Sequence, residues 1–210
     1  MPGRMLSKSK YINGLQCHKL LWIGINEKQR IPATDPVTQH IFDQGHLVGE
    51  IAKGLYPGGY DLSTDDFMGN IAETRGALKR RVPLFEPGIL VDNLYSRLDI
   101  LVPADGEKWD IIEVKSSTSV KPVNLHDVAF QKHCCQQAGL QIDKCYLAYI
   151  NNKYVKQGEV SPKDLFVVED ISIKVEEMSQ GIGERARGLL DVISQRNCPE
   201  VAISRNCASP

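Results

Sequence analysis

The chain has 210 residues, 42% of them hydrophobic and 24% charged, with 25 Lys and Arg against 26 Asp and Glu for a formal net charge of −1. That is an ordinary globular balance with length enough for a sizeable core, and no apolar run reaches the roughly 18 to 20 residues of a membrane span, which excludes a membrane-spanning chain. A charge near zero offers no support for a nucleic-acid-coating protein, although an enzyme can concentrate charge locally.

The N-terminal segment 6–26, read as a single helix from residue 7, carries Cys17. A second helix is predicted over 36–55, opened by Asp35-Pro36 and stopped by Tyr56-Pro57-Gly58-Gly59. Ser63-Thr64-Asp65-Asp66 caps a third helix running to Arg81. Strands follow near 88–92, 95–102 and 108–115, the last two joined at Asp105-Gly106. Residues 124–139 read as a helix closed by Gly139, and Cys145–Ile150 with Lys153–Lys156 as a hairpin turning at Asn151-Asn152. A strand at 165–168 and a long helix over 171–195 complete the series, the helix running through Gly181, Gly183 and Gly188. With no repeat, low-complexity segment or linker, the pattern predicts one domain over 1–210 with three α/β/α layers around a central mixed sheet.

Chemistry concentrates on two of these strands. Side chains at i and i+2 of a strand share a face, so Glu113 and Lys115 point the same way, and Asp99 on the neighbouring strand can meet them. Ile111, Ile112 and Val114 make that strand read as buried on both faces, where unpaired charge would be costly. Two carboxylates with a nearby backbone carbonyl, that of Val114, suit a hard cation such as Mg²⁺ or Mn²⁺, and a lysine beside them can orient or deprotonate a water. The alternative is solvent-face decoration of an antiparallel hairpin.

In order, Asp99, Glu113-Val114-Lys115 and a helix carrying Gln131 resemble the PD-(D/E)XK nuclease superfamily, in particular its RecB-like branch with the CRISPR-associated iron–sulfur exonucleases. The resemblance runs from about Leu6 to the C-terminus and implies a restriction-endonuclease-like fold. It implies metal-dependent hydrolysis of DNA, single-stranded or with free ends, alongside other DNA-processing proteins. Asp99, Glu113, Lys115 and Gln131 would be catalytic. The family's first motif, Gly-x-x-Val-His-Glu, corresponds to Gln44-Gly45-His46-Leu47-Val48-Gly49-Glu50, with Gly49 where histidine would stand. Glu50 and His46 lie four residues apart on one helical face, and either could join Asp99 and Glu113 on the metal; a carboxylate suits Mg²⁺ better, which favours Glu50. In Gln-x-x-x-Tyr the tyrosine position holds Cys135. Gly49 and Cys135 favour an alternative, a module that keeps the fold without activity; Asp99, Glu113 and Lys115 oppose it.

No secretory signal precedes Met5-Leu6-Ser7, so reduced thiols in a cytoplasmic protein are expected. Cys134, Cys135 and Cys145 read as packing residues. Cys17, before His18-Lys19-Leu20-Leu21-Trp22, and Cys198 and Cys207 in the segment 196–210 resemble the family's cluster ligands. A [4Fe–4S] cluster needs four thiolates, and the resemblance places two further cysteines beyond Pro210, so the tail reads as truncated and the cluster as incomplete. Lys8, Lys10, Lys19, Lys28 and Arg30, the run Lys79-Arg80-Arg81, and Lys115, Lys121 and Lys132 are basic groups able to track a phosphate backbone. His126 and His133, flanking Gln131, are further candidates for touching nucleic acid, whereas His18 and His40 have no partner at metal-ligand spacing.

Overall fold

A computed structural model describes residues 5–208, so the domain expectation extends beyond the described chain at residues 1–4, 209 and 210. In chain order the elements are β1 (Leu6–Ser7), α1 (Lys8–Gln16), α2 (His18–Asn26), α3 (Pro36–Lys53), β2 (Tyr60–Asp61), α4 (Phe67–Ala77), β3 (Leu84–Phe85) and β4 (Gly88–Val91). There follow β5 (Leu94–Arg97), β6 (Ile100–Pro103), β7 (Lys108–Lys115), α5 (Pro122–Gln137) and β8 (Gln141–Ile150). The chain closes with α6 (Pro162–Leu165), β9 (Phe166–Asp170), α7 (Ser172–Ser179) and α8 (Ile182–Ser194).

A six-stranded sheet in the order β2-β3-β6-β7-β8-β9 forms the middle layer, and a three-stranded sheet β1-β5-β4 adjoins it. The larger sheet is mixed: β2–β3 and β7–β8 run parallel, the other neighbours antiparallel. Strand alternation sends Leu101, Trp109, Ile111, Cys145 and Leu147 to one face, where they join the core built with α1, α2, α5, α7 and α8. Phe85, Ile100, Ile112, Val114, Ala148 and Phe166 face the other way and are covered by Val48, Ile51 and Ala52 of α3. The result is the predicted three-layer α/β/α arrangement. Among the described residues no helix is long and apolar enough to cross a membrane.

Local chemistry explains the helix starts. Asp35 Oδ1 accepts from the Val37 and Thr38 amides at 2.9 and 3.0 Å ahead of Pro36, and Asp66 Oδ1 accepts from Gly69 N at 2.9 Å. Four expectations need correction. The helix expected over 7–26 is two helices, because Cys17 is extended at φ −163° and ψ 120°. The long helix over 171–195 breaks at Gly181, whose φ of 69° is a left-handed conformation glycine adopts without a Cβ clash. The strand 95–102 is divided at Leu98-Asp99 between the two sheets. Finally, Lys153–Lys156 forms no strand: β8 pairs parallel with β7 and antiparallel with β9, which the chain reaches only after α6.

Candidate active site

Asp99 stands at the joint where the chain leaves the three-stranded sheet at Arg97 and enters the six-stranded sheet at Ile100. Neighbouring backbone fixes that joint: Leu98 N donates to Pro87 O at 3.1 Å and Glu86 N to Asp99 O at 3.0 Å. The β6–β7 register, which pairs Ile100 with Ile112, sets Asp99 one step further on beside Glu113. Its Oδ2 accepts from Val114 N at 2.7 Å. Since a strand residue directs its N–H and C=O to the same side, the Val114 carbonyl opens toward Asp99 as well.

Glu113 and Lys115 share the α5 face of β7, as the alternation requires, and their side chains are ion-paired. Glu113 is fully buried. From α5, Gln131 Nε2 donates to Glu113 Oε2 at 2.5 Å and to Asp127 Oδ1 at 3.1 Å, being one helical turn from Asp127. Lys115 Nζ also reaches Asp127 Oδ2 at 2.8 Å. A second ammonium arrives from the first turn of α1, with Lys8 Nζ 3.0 Å from Glu113 Oε1, 3.8 Å from Asp127 Oδ1 and 4.0 Å from Asp99 Oδ1. Three carboxylates thus surround two ammonium groups.

The electrostatics follow from this packing. Burial and the Glu113 charge push the Asp99 carboxyl up to about 7, against the opposing pull of Lys8 and Lys115. Burial works to raise Glu113 too, but Lys115 and Lys8 outweigh it and hold that carboxyl well below the usual range. Burial and Glu113 raise Asp127. Desolvation opposes the charge on Lys8 and Lys115, yet Glu113 and its neighbouring carboxylates keep both ammonium groups bound to their protons. The cluster is thus a set of interlocked charges in which Asp99 and Asp127 are the carboxyls that burial makes easier to protonate.

These groups form one end of an open cleft of about 640 Å³ lined by His46, Gly49, Glu50, Asp99, Glu113 and Lys115. His46 and Glu50 lie on the α3 wall; Glu50 is ion-paired with Lys53 at 2.6 Å and its side chain is 64% exposed. Both line the same cleft as Asp99 and Glu113, and among the described residues no hydrogen bond or ion pair joins either of them to those carboxylates. A Cβ on Gly49 would meet nothing within 4 Å, so this wall has open space where the resembled family carries histidine.

Among the described residues no group of three His, Cys, Asp or Glu side chains is arranged to hold a metal ion. Ammonium stands between the carboxylates instead. Lys8 Nζ is a cation among oxygens of Glu113, Asp99 and Asp127, and the donor chemistry, two carboxylates with the Val114 carbonyl, suits a hard divalent ion. The residues expected to hold such an ion, Asp99, Glu113 and Val114 with Glu50 or His46, line one cleft without being gathered into a ligand cluster.

Of the other candidates, Cys134, Cys135 and Cys145 are buried in the core as expected. Cys17 and Cys198 are half-buried and Cys207 is exposed; the Cys207 turn lies against the end of α1, where Gln16 Nε2 donates to Asn206 O at 3.1 Å. Several basic residues are engaged internally. Arg81 Nη2 donates to Ala104 O, Gly106 O and Lys108 O at 2.8–2.9 Å, Arg80 lies over the Tyr60 ring, and Lys132 pairs with Glu176 at 2.6 Å. His126 and His133 sit beside Arg185 and Arg187 of α8. Lys8 and Asp127 escaped assignment to the site. Asp127, one turn before Gln131 on a helix face aimed at Glu113, carried a usable signal; Lys8 lies 105 residues from Glu113 with no local pattern linking them.

No protein-family model matches the sequence, and no curated protein does. Among solved structures the chain is similar to SSO0001 (13% identity, 95% of this chain and 80% of that one, TM-score 0.43). It is likewise similar to LHK-Exo in complex with dAMP (13%, 88% and 89%, TM-score 0.45) and to the alkaline exonuclease LHK-Exo from Laribacter hongkongensis (12%, 90% and 90%, TM-score 0.38).

Proposed function

We propose that this chain is a metal-dependent nuclease that hydrolyses DNA phosphodiesters, acting as an exonuclease on single-stranded or free-ended DNA. The observation that carries the reading is the convergence of Asp99, Glu113 and Lys115 on one cleft, with the buried Gln131 of α5 bonded to Glu113 behind them. The choice of DNA and of its ends follows the sequence resemblance to RecB-like PD-(D/E)XK nucleases.

Asp99 and Glu113, with the Val114 carbonyl and either Glu50 or His46, would hold Mg²⁺ or Mn²⁺. Such an ion supplies Lewis acidity, polarising a phosphoryl oxygen and making water a competent nucleophile at neutral pH. Lys115, held as an ammonium by Glu113 and Asp127, donates hydrogen bonds toward the attacked phosphate and the attacking water. Gln131 fixes the Glu113 and Asp127 carboxylates through its two N–H donors, so Glu113 keeps one orientation through the reaction. The Val114 amide does the same for Asp99.

The test is degradation of end-labelled single- and double-stranded DNA, with RNA in parallel, in Mn²⁺ with and without EDTA. Cleavage of DNA that stops with EDTA is expected; degradation that survives the chelator overturns the mechanism. Cys17, Cys198 and Cys207 supply three of the four thiolates a [4Fe–4S] cluster requires, so anaerobically purified protein is expected to be colourless. Brown protein with about four irons per chain overturns that reading.

A further inference from the structure

We propose that Lys8 is a built-in counter-cation of the active site, which occupies the position between the carboxylates when no divalent ion is bound and gives it up when one enters. The inference rests on the metal-dependent reading above. Lys8 Nζ lies 3.0 and 3.2 Å from the two Glu113 oxygens and within 4.0 Å of both Asp99 and Asp127, the most central place in the cluster. A divalent ion held by Asp99 and Glu113 would meet that ammonium at contact distance. Like charges so close repel strongly in a partly desolvated site, so one lysine has to leave.

Lys115 is the less free of the two. It sits on a central strand, bridging Glu113 and Asp127. Lys8 reaches the cluster from the first turn of α1 rather than from the sheet, and both of its hydrogen bonds there go to Glu113 alone. It also has somewhere to go. A second cleft of about 480 Å³ also borders Lys8, lined by Ser9, Asn13, Ser117 and Asn124 together with Asp127, Lys115 and Lys121. Those hydroxyl and amide oxygens can receive an ammonium that has left Glu113. The movement needs only side-chain rotation about a fixed backbone, because Ser7 and Lys10 hold the first turn of α1.

The experiment measures Mn²⁺ binding by calorimetry on the full chain without nucleic acid, so that catalysis is not the readout. Lys8→Met should bind Mn²⁺ about tenfold more tightly or better, while Lys8→Arg, which keeps the charge, stays near wild type. Affinity in Lys8→Met equal to or weaker than wild type overturns the proposal. In unaltered protein, acetylation of the Lys8 amine followed by mass spectrometry should be slow in EDTA and faster in Mn²⁺, with exposed Lys19 unchanged. Equal Lys8 rates in the two conditions overturn it as well, whether or not Lys8→Met folds. Glu113→Gln separates the two readings: if it binds Mn²⁺ as wild type does, the ion is not at this site and the metal-dependent reading fails first.

Discussion

At the scale of single residues, the site depends on buried charges that hold one another in place. Glu113 accepts from Lys8, Lys115 and Gln131 at once, so its replacement removes a proposed ligand and leaves those donors with fewer partners. Glu113→Gln and Asp99→Asn are each expected to lower cleavage by about 10²–10³-fold in single-turnover assays. Activity within a few-fold of wild type in either variant would sink the assignment. The cysteines divide by burial. Burial pushes the Cys134 and Cys145 thiols up to about 12 and Cys135 well above its ordinary value, leaving almost no thiolate at neutral pH. A thiol-reactive reagent at about pH 7.5 should modify Cys207 quickly, Cys17 and Cys198 more slowly, and Cys134, Cys135 and Cys145 only after denaturation. Rapid native labelling of Cys135 would contradict the packing described.

At the scale of elements, α1 brings Lys8 to the cluster because Tyr11 stacks on Phe130 of α5, with ring centroids 4.6 Å apart. Tyr11 is fully buried, and its hydroxyl accepts a long 3.3 Å bond from Arg185 Nε. Tyr11→Ala should therefore cost about 3–5 kcal/mol in urea denaturation. Tyr11→Phe should cost less than about 1.5 kcal/mol. Gly181→Ala should cost about 1–2 kcal/mol, since alanine resists the left-handed backbone between α7 and α8. What could be read from sequence follows the range of the interaction. The adjacency of Asp99 and Glu113 was legible because strand alternation and the short Asp105-Gly106 turn are local, and Gln131 was legible through the order of motifs. The partner of β8 was not legible: Asn151-Asn152 looks like a hairpin turn, but the pairing is decided by the crossover through α5 and by β9 beyond α6. The break at Cys17 was hidden for a similar reason, since α2 turns away to join α8 through Trp22 Nε1 to Gln195 O at 3.0 Å.

At the scale of the whole molecule, both helical layers rest on one sheet, and each contributes to the cleft. α3 supplies one wall, while α1 and α5 supply the charges opposite. Trp22 lies in α2 and Trp109 in β7, so the two indoles report on different layers. Tryptophan fluorescence and far-ultraviolet circular dichroism should give coincident urea transitions; separated midpoints would show that the layers unfold as independent units. The position of Asp99 carries a mechanical consequence. The connection between the two sheets carries a residue of the proposed site, with β5 on one side of it and β6 on the other. A change in the angle between the sheets would pull on Asp99 through Leu98, against the hydrogen bond that ties its Oδ2 to Val114 N of β7 beside Glu113. A partner or crosslink bearing on β4, whose Gly88 pairs with the cleft-lining Arg97, would thereby act as a lever on the proposed catalysis.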